Sequence, residues 1–294
     1  MRVGVIDVGA NTLRLLVAAR GSTGLEIVHR ERVQLGLGES VERTGAVPRD
    51  RLAAARRAAQ QQAASARRLD CVRLEIVVTS PGRQAANADE LVESLTRVPA
   101  ASVRILSAEE EASFAYRSVL ATIDDPPSSI AVCDVGGGST QIAIGSADEG
   151  PAWVRSLDIG SLRLTRRALT EDPPTRASVA RAQEEVERAF AILTPPLPHA
   201  AYATGGSARA LGKLVGPQLG AEELAVALHI VAERPSRRLA KTFDLSPSRA
   251  STLTAGTLLL ARAQRLLGVP FEVARAGLRE GVALSLLAEA AVAA

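Results

Sequence analysis

One short pattern occurs twice in the sequence and limits what the chain can fold into. Near the N-terminus, the apolar residues 3–6 lead into Asp7-Val8-Gly9-Ala10-Asn11-Thr12, and a second apolar run follows. Later, the apolar residues 130–133 lead into Asp134-Val135-Gly136-Gly137-Gly138-Ser139-Thr140-Gln141, again followed by an apolar run. Each copy predicts a strand that ends in a carboxylate, a tight glycine turn and a second strand. The repeat predicts two similar half-domains that face each other.

The glycine turns favour phosphate as a ligand. Three consecutive glycines, Gly136, Gly137 and Gly138, let the backbone approach a ligand closely and point its N–H groups at it. The neighbouring Asp134, and Asp7 in the first copy, suit Mg²⁺ or a positioned water. An ordinary glycine-rich hairpin would explain one copy alone, and the second copy argues against it. The sequence therefore predicts two phosphate-binding loops.

Two further segments are candidates for anion binding, and each has a plainer explanation. Gly205-Gly206-Ser207 follows a predicted strand at 201–204 and enters a helix, which also fits a simple strand–helix connection. Ser80 and Pro81 begin a predicted helix in which Arg83 and Asn87, four residues apart, share one face. An arginine in the first turn of a helix favours an anion, although an exposed arginine is equally consistent with the sequence.

Composition excludes several classes of protein. The chain has 294 residues with a net charge of +3, and only 2% of its residues are aromatic. One large or two medium domains fit this length, and base stacking on aromatic rings is not expected, so we predict no nucleic-acid partner. Two cysteines, Cys71 and Cys133, do not form a disulfide framework. Since the sequence opens directly into a strand and lacks a membrane-spanning apolar run, we expect a cytoplasmic protein with no membrane partner.

The segments between the motifs predict an alternating α/β chain. Residues 34–47, rich in glycine, predict a loop, and residues 50–69 predict a helix whose arginines form a solvated face rather than a binding patch. Residues 247–267 predict one long helix. The run Asp124-Asp125-Pro126-Pro127 is the clearest break in the sequence, and we place the domain boundary there.

A cluster of three glutamates begins the helix predicted at 108–121. Ser107 and Glu110 have the spacing of a capping box, in which Glu110 binds the Ser107 N–H. Carboxylates at a helix start also interact favourably with the helix dipole. From these residues alone, structural capping is the preferred explanation of the cluster.

Six segments together resemble one family, and they are Asp7-Val8-Gly9-Ala10-Asn11-Thr12, Thr79 with Arg83 and Asn87, Glu109-Glu110-Glu111-Ala112, Asp134-Val135-Gly136-Gly137-Gly138-Ser139-Thr140, Gly205-Gly206-Ser207 and Gly277-Leu278-Arg279-Glu280-Gly281. Their order and spacing resemble the Ppx/GppA phosphatases, which comprise exopolyphosphatases and guanosine pentaphosphate phosphohydrolases. The resemblance implies a duplicated ribonuclease-H-like fold of the actin-like, sugar kinase and Hsp70 ATPase class, with two α/β domains around a cleft. We expect residues 1–124 and 125–294 to form these domains, and the last helix, about 281–294, to pack back on the first.

The resemblance also implies Mg²⁺-dependent hydrolysis of a terminal phosphoanhydride. A Glu matching Glu110 activates water in the family, so catalysis replaces capping as the preferred role of Glu110, and Glu111 is the fallback if the register shifts by one. The reaction needs neutralised phosphate charge and a water in line with the leaving oxygen. Arg83 would clamp a phosphate oxygen, and Asp134 with Asp7 would hold Mg²⁺. The predicted phosphate-binding residues are Asn11, Thr12, Gly136, Gly137, Gly138, Ser139, Gly205, Gly206 and Ser207.

The sequence departs from the family pattern at two positions in the loops. Ala10 stands where the family usually has Ser, which removes a hydroxyl and keeps the backbone N–H. Gln141 stands where the family usually has a Glu that is associated with the metal site. Glutamine keeps an oxygen and loses the charge, so metal affinity and activity at this position need a test. The length of 294 residues resembles the short two-domain form of the family and favours short substrates.

The predicted activity is that of an exopolyphosphatase, which releases phosphate from inorganic polyphosphate. Three alternatives are hydrolysis of guanosine pentaphosphate, a non-catalytic polyphosphate or nucleotide sensor, and an ATP-dependent kinase of the same fold. Gln141 is the argument for a sensor, whereas Glu110, Arg83 and Asp134 argue against it. No feature demands the acceptor site of a kinase. Since the family often dimerises, a homodimer is also expected, to which the apolar C-terminal helix could contribute unless it belongs to the core.

Overall fold

The chain forms two compact units. The computed structural model describes residues 1–22 and 24–292. The first unit comprises Met1–Thr122 together with Leu278–Ala294, and the second comprises Ile123–Gly277. The predicted boundary after residue 124 lies close to the observed division after residue 122. The helix predicted at 281–294 falls in the first unit, and its last two positions, 293 and 294, lie outside the described residues.

Strands and helices alternate along much of the chain. The strands are β1 (Arg2–Val8), β2 (Thr12–Gly21), β3 (Gly24–Gln34), β4 (Cys71–Val78), β5 (Ser102–Ile105), β6 (Ile130–Val135), β7 (Thr140–Ser146), β8 (Gly150–Leu157), β9 (Ala200–Thr204), β10 (Gln218–Leu219) and β11 (Phe271–Val273). The helices are α1 (Leu37–Thr44), α2 (Arg49–Arg68), α3 (Ser80–Gln84), α4 (Ala88–Thr96), α5 (Ala108–Leu120), α6 (Ser161–Ala168), α7 (Arg176–Phe190), α8 (Gly205–Val215), α9 (Ala221–Glu233), α10 (Ser236–Thr242), α11 (Pro247–Ala250), α12 (Leu253–Leu267) and α13 (Leu278–Val292). Among residues 1–22 and 24–292, no helix is long and apolar enough to cross a membrane.

Each unit is built on one sheet, and the two sheets share a strand order. In the first unit the order is β3-β2-β1-β4-β5, with β1, β4 and β5 parallel and β2 antiparallel to both of its neighbours. In the second unit the order is β10-β11-β9-β6-β7-β8, with β6, β9 and β11 parallel and β7 antiparallel to both of its neighbours. Apart from β10 at the edge, the second sheet repeats the first. This repeat confirms the predicted duplicated ribonuclease-H-like fold.

Side-chain alternation along β1 and β2 determines which polar groups lie on each face of the first sheet. Ile6 packs in the core that α2 covers, whereas Val5 packs in the core on the opposite face. Because successive strand residues point to opposite faces, Asp7 lies on the face of Val5. Arg14 is the ladder partner of Asp7, and it shares that face with Leu16. The strand period therefore places Asp7 and Arg14 side by side.

The last helix covers this same face of the first sheet. Val282 and Leu286 of α13 are buried against Val5 and Leu16. Burial of each such apolar side chain contributes about 1.5–3 kcal/mol before entropy is counted. The apolar side of α13 is therefore used within the first unit, and the start of the helix lies over the end of β1.

The second unit has one large core. Apolar side chains of β6 and β7, such as Cys133 and Ile142, pack with residues of the surrounding helices, including Phe190 of α7 and Leu259 of α12. Burial raises the pKa of the Cys133 thiol, so this cysteine stays protonated and acts as a small apolar side chain. The core supports β6 from the side opposite Asp134, which the strand period directs to the other face.

The prediction of a loop at 34–47 is wrong, because these residues contain α1. Gly36 precedes the helix in the left-handed conformation, with φ of 67°, and glycine tolerates this conformation without strain. Leu37 and Val41 are buried, and Gly38 N donates a hydrogen bond to Ala10 O. Tertiary contacts therefore stabilise a helix whose glycine content alone favoured a loop.

Two predicted helices are interrupted. The helix expected to carry both Arg83 and Asn87 ends at Gln84, and α4 begins at Ala88, so the prediction that they share a helix face is wrong. The Asn87 side chain instead binds the backbone of Val47, accepting from its N–H at 2.8 Å and donating to its carbonyl at 2.9 Å. The long helix predicted at 247–267 is divided into α11 and α12.

Candidate active site

The first glycine turn is held in place by the residues that follow β3. Gly9 N donates to Thr12 O at 3.0 Å and closes the turn between β1 and β2. Gly38 N donates to Ala10 O at 2.6 Å, and Asn11 O accepts two more backbone amides from the residues just after β3. The carbonyls of the turn are therefore bound by the protein. Asn11 and Thr12, two predicted phosphate-binding residues, lie on this turn.

The second glycine turn repeats this arrangement. Gly136 N donates to Ser139 O at 3.0 Å, and the first amides of α6 donate to the turn carbonyls, with Ser161 N bound to Gly136 O at 2.9 Å. Within residues 1–22 and 24–292, the amides of Gly137 and Gly138 donate no hydrogen bond. Buried backbone N–H groups without an acceptor are rare in folded proteins. The turn therefore offers adjacent amide donors to an anion.

Asp134 lies beside the third glycine turn. Thr204, the last residue of β9, is the ladder partner of Asp134, so the two parallel strands end together. Gly205 follows with φ of 89°, and a Cβ at this position would lie 2.5 Å from Asp134 Oδ1. Only glycine fits both the conformation and the space. The structure therefore brings Asp134 and Gly205 to the same edge of the second sheet.

Arg249 of α11 contacts Ser207 in the third turn, and the sequence pattern did not indicate it as a site residue. Its Nη1 donates to Ser207 Oγ at 3.0 Å, and a Cβ at Gly206 would lie 2.2 Å from its Nη2. Gly206 is thus required for the close approach of the guanidinium. Arg249 follows Pro247 at what reads as an ordinary helix start, so its sequence context carries no signal of a site. Only the packing of α11 on α8 reveals it.

Arg83 and Glu111 form a bidentate pair at the edge of the first sheet. Arg83 Nη1 and Nη2 donate to the two Glu111 carboxylate oxygens at 2.9 and 3.2 Å. Nη1 also donates to Leu106 O at 2.7 Å, just after β5. The Glu111 side chain is 8% exposed, so both groups are held in one geometry. A planar guanidinium paired in this way positions a carboxylate more strictly than a lysine could.

Glu110 points elsewhere, because successive helix residues project about 100° apart. Its Oε2 accepts from Ser107 N at 2.8 Å, and Ser107 Oγ accepts from Glu110 N at 3.1 Å. The predicted capping box is therefore confirmed. Glu110 Oε1 also accepts from Arg104 Nη1 at 2.6 Å, and Arg104 pairs in turn with Glu75. The side chain of Glu110 is thus bound to its own helix start and to β5.

Asp7 lies among charged residues at the end of β1, and its carboxyl is shielded from water. Burial raises the pKa of its carboxyl, and the nearby Arg279 and Arg14 partly oppose this effect. Burial also lowers the pKa of Arg279, which lies in the first turn of α13. Glu280, the next residue, pairs with Arg30 at 3.2 Å. The start of α13 therefore brings charged residues from the far end of the chain to Asp7.

Gln141 follows the second turn, and its side chain contacts the Ser139 hydroxyl of that turn. Gln141 Nε2 donates to Ser139 Oγ at 2.8 Å and to Ser156 Oγ at 3.2 Å. The residue is 4% exposed and is the ladder partner of Asp134. Thr140, between Ser139 and Gln141, donates from its Oγ1 to Ile159 O at 2.6 Å. These side-chain bonds fix the end of the second turn.

The two predicted Mg²⁺ ligands, Asp7 and Asp134, belong to different units. Each unit offers one carboxylate at its sheet edge, Asp7 in the first and Asp134 in the second. In the described part of the chain, no three His, Cys, Asp or Glu side chains are grouped closely enough to hold a metal ion. Mg²⁺ is commonly bound by one or two carboxylates, with water and phosphate oxygens completing its coordination. Within either unit, one carboxylate would therefore bind Mg²⁺ only with water and phosphate oxygens as further ligands.

Known proteins with similar sequences cover almost the whole chain. A sequence model described as the Ppx/GppA phosphatase family matches residues 16–290. Exopolyphosphatase 2 of Mycobacterium tuberculosis is 29% identical over 318 aligned positions, which cover 97% of this chain and 98% of the relative. Exopolyphosphatase 1 of Mycobacterium bovis is 28% identical, with 98% and 88% covered.

Solved structures agree with the fold. A Ppx/GppA family member from Aquifex aeolicus has a TM-score of 0.84 and 27% identity, over 99% of this chain and 98% of that one. An exopolyphosphatase from Cytophaga hutchinsonii has a TM-score of 0.88 over 98% of both chains. At 19% identity, the second similarity shows the fold alone. Both neighbours support the two-domain, actin-like architecture deduced from the sheets.

Proposed function

We propose, from the premise that the chain belongs to the Ppx/GppA phosphatase family, that it is an exopolyphosphatase that removes the terminal phosphate of inorganic polyphosphate. One observation carries the proposal. Among the described residues, the turn after β6 presents the amides of Gly137 and Gly138 without acceptors, and Asp134 lies at the turn-facing end of β6, next to Val135. Adjacent backbone amides of this kind suit phosphate oxygens. The two mycobacterial relatives named exopolyphosphatases support the same substrate class.

The two sheet edges supply different groups for phosphate. The second unit offers the amides of residues 136–139, the hydroxyls of Ser139 and Ser207, and the guanidinium of Arg249. The first unit offers the turn that carries Asn11 and Thr12, and the ion pair of Arg83 and Glu111. Charge-assisted hydrogen bonds to phosphate are stronger than neutral ones, so Arg249 is expected to contribute strongly to binding. In this proposal backbone amides orient the phosphates and arginines neutralise their charge.

We assign the general base to Glu111, with the predicted Glu110 as the alternative that the experiment compares directly. The contacts favour Glu111, because Glu110 is bound to Ser107 and Arg104. Each oxygen of a carboxylate has two lone pairs, so the bidentate bond to Arg83 does not exhaust the capacity of Glu111 to accept a proton from water. Arg83 holds the carboxylate still and remains close to the charge that develops on the phosphate.

The reaction follows from these roles. Glu111 takes a proton from water, the water oxygen bonds to the terminal phosphorus, and the bond from this phosphorus to the bridging oxygen breaks. The electron pair stays on the shortened chain, and inorganic phosphate is released. Asp134 and Asp7 are the residues that would hold Mg²⁺, which supplies charge neutralisation on the phosphate oxygens when bound. The amides of the second turn hold the remaining phosphates during the step.

The test is phosphate release from tripolyphosphate and from long-chain polyphosphate, each with Mg²⁺ and with EDTA. Glu111→Gln and Glu110→Gln form a matched pair, since they make the same change at adjacent positions. Loss of a general base costs about 10²- to 10⁴-fold in rate, so we expect this loss in Glu111→Gln. Glu110→Gln should keep activity within a few-fold and nearly all of the stability, because glutamine can still complete the capping box with Ser107 and loses only the exposed ion pair with Arg104, worth about 1 kcal/mol at most.

The reverse pattern would move the base to Glu110. Release that persists in EDTA would contradict the Mg²⁺ assignment. No release from either polymer by a wild-type protein that is folded would contradict the exopolyphosphatase proposal. Guanosine pentaphosphate, the alternative substrate of this family, is therefore assayed in parallel, and release from it alone would reassign the substrate.

A further inference from the structure

The first and second glycine turns each have a side-chain hydrogen bond of the same kind, and the backbone of the turn does not depend on it. In the first turn, Arg14 Nε donates to Thr12 Oγ1 at 2.8 Å. In the second turn, Gln141 Nε2 donates to Ser139 Oγ at 2.8 Å. Each donor lies two residues after its hydroxyl. Each donor is also the ladder partner of the aspartate near the end of the preceding strand, Asp7 or Asp134.

The direction of this bond decides what the hydroxyl can offer to a ligand. A hydroxyl has one hydrogen to donate and lone pairs to accept with. A guanidinium has donors only, so the Thr12 oxygen must accept from Arg14 and its hydrogen is free to point elsewhere. Within the described residues, neither Thr12 nor Ser139 donates its hydroxyl hydrogen to another group, although both residues are only 4% exposed.

Gln141 reproduces the Arg14 bond with a neutral side chain. A carboxylate in its place could only accept, so it would take the Ser139 hydrogen and leave the oxygen lone pairs facing outward. Outward lone pairs suit a cation, whereas an outward hydrogen suits a phosphate oxygen. The second contact, to Ser156 Oγ at 3.2 Å, fixes the amide so that its nitrogen lies between the two serines.

We propose that Gln141 is a positioning residue that makes Ser139 a hydrogen-bond donor to a phosphate group of the substrate. By donating to Ser139 Oγ, Gln141 turns the hydroxyl hydrogen toward the acceptor that the amides of Gly137 and Gly138 also bind. The residue therefore changes the polarity of the turn without touching the ligand. This inference rests on the proposed function, since it concerns the binding of a polyphosphate.

The experiment measures binding and not turnover. Tripolyphosphate is titrated calorimetrically into the full chain in EDTA, for the wild type, Gln141→Glu, Ser139→Ala and the double variant. We expect each single variant to bind about tenfold more weakly, which is the loss of one strong hydrogen bond. The double variant should be little weaker than either single variant, because both changes remove the same bond. Thermal melting and circular dichroism check that each variant is folded.

The wild type, the two single variants and the double variant form a double-mutant cycle. This cycle separates the effect of hydrogen-bond direction at Ser139 from the effect of charge repulsion. If the carboxylate of Gln141→Glu acted only by repelling phosphate, its effect would be the same in the wild-type and Ser139→Ala backgrounds, and the two factors would multiply to about a hundredfold. That result would overturn the inference and leave the proposed function intact. No binding by the folded wild type in EDTA would overturn the inference, whereas the proposed function is judged separately by phosphate release with Mg²⁺.

A second variant keeps the test independent of an added charge. Gln141→Met has a similar size, cannot donate and carries no charge. The Ser139 hydroxyl is then free to rotate, so we expect a smaller loss of about threefold that disappears in the Ser139→Ala background. Wild-type affinity in Gln141→Met would overturn the inference, because the amide would then have no effect on the hydroxyl.

Discussion

In both units a strand ends in Asp-Val-Gly, and the glycine amide closes the turn onto the residue three positions later, Gly9 onto Thr12 and Gly136 onto Ser139. In both units a helix that follows the third strand then binds a turn carbonyl through its first amides. The groups around the turns differ. The first edge carries the pair Arg83 and Glu111, whereas the second carries Arg249 bound to Ser207. In both turns, the two amides that follow the first glycine, at residues 10 and 11 and at residues 137 and 138, donate no hydrogen bond among the described residues.

One duplicated element can therefore carry different functional groups in its two copies. The shared turn depends on residues within a few positions of one another, so duplication preserves it. The distinguishing groups come from distant parts of the chain. Arg83 meets Glu111 in the first unit, and Arg249 meets Ser207 in the second. We infer that the first edge supplies the chemistry and the second edge supplies the binding.

Replacing Arg83 has the largest expected effect and tests whether the first edge acts in the chemical step. Arg83→Ala removes the bidentate contact of the largely buried Glu111 carboxylate, which costs up to about 3–5 kcal/mol of unfolding free energy. Arg83→Lys keeps the charge and loses the planar fork, so it should retain more stability but lose about 10²-fold in kcat. Urea unfolding and phosphate release measure the two effects. Wild-type kcat in Arg83→Lys would show that the first edge is not the chemical one.

Arg249 gives the corresponding test of the second edge. Arg249→Gln removes the guanidinium that reaches Ser207, and a lost hydrogen bond to a charged group is worth about 1.5–3 kcal/mol. We expect KM for tripolyphosphate to rise about tenfold or more, with kcat within about threefold of the wild type. Initial-rate kinetics over a range of substrate concentrations measure both. A fall in kcat as large as that of the Arg83 variants would remove the distinction between the edges.

Among the residues that the structure describes, the core of the first unit contains one amide side chain without hydrogen bonds. Gln62 of α2 is fully buried in the first unit, and neither its amide nitrogen nor its amide oxygen has a hydrogen-bond partner among the described residues. Because an unsatisfied buried polar group costs about 1–3 kcal/mol, Gln62→Met should raise the unfolding free energy by up to this amount. Urea unfolding measures the gain. The neighbouring Gln61 is exposed, so Gln61→Met is the matched control and should change stability by less than about 0.5 kcal/mol.

The smallest effect concerns the charge of Asp7. Because burial raises the pKa of Asp7 in the folded state, the folded protein binds this proton more tightly than the unfolded chain does. Protonated Asp7 therefore favours the folded state. This contribution to the unfolding free energy is present at low pH and is lost as pH rises from about 3.9 through the folded pKa. Asp7→Asn should be more stable than the wild type at pH 7, and the difference should shrink as pH falls toward about 4.

Thermal melting of both proteins across this pH range measures the difference directly. Equal stability at pH 7 would contradict the sign of the shift. If Asp7 helps to hold Mg²⁺, the same variant should lose activity, so its gain in stability would come with a loss of function.

The adjacent glutamates show where prediction from sequence ended. The spacing of Ser107 and Glu110 was enough to predict the capping box, because a cap is a contact between residues three positions apart. The family resemblance then favoured Glu110 for catalysis. The contacts instead tie Glu110 to Ser107 and Arg104, and they pair Glu111 with Arg83. Since both glutamates lie on one helix turn, only their surroundings distinguish them.

Sequence patterns were enough to predict the two strand–turn–strand elements, the duplicated α/β fold and the residues of both glycine loops. These features depend on local chemistry, namely apolar runs that form strands and glycines that allow tight turns. Packing between distant segments was needed to establish that residues 37–44 form a helix, that Arg249 reaches the third turn and that α13 brings Arg279 to Asp7. Those outcomes depend on contacts between residues far apart in the chain. Burial then sets the energies and charges of such contacts, and the sequence pattern does not contain that information.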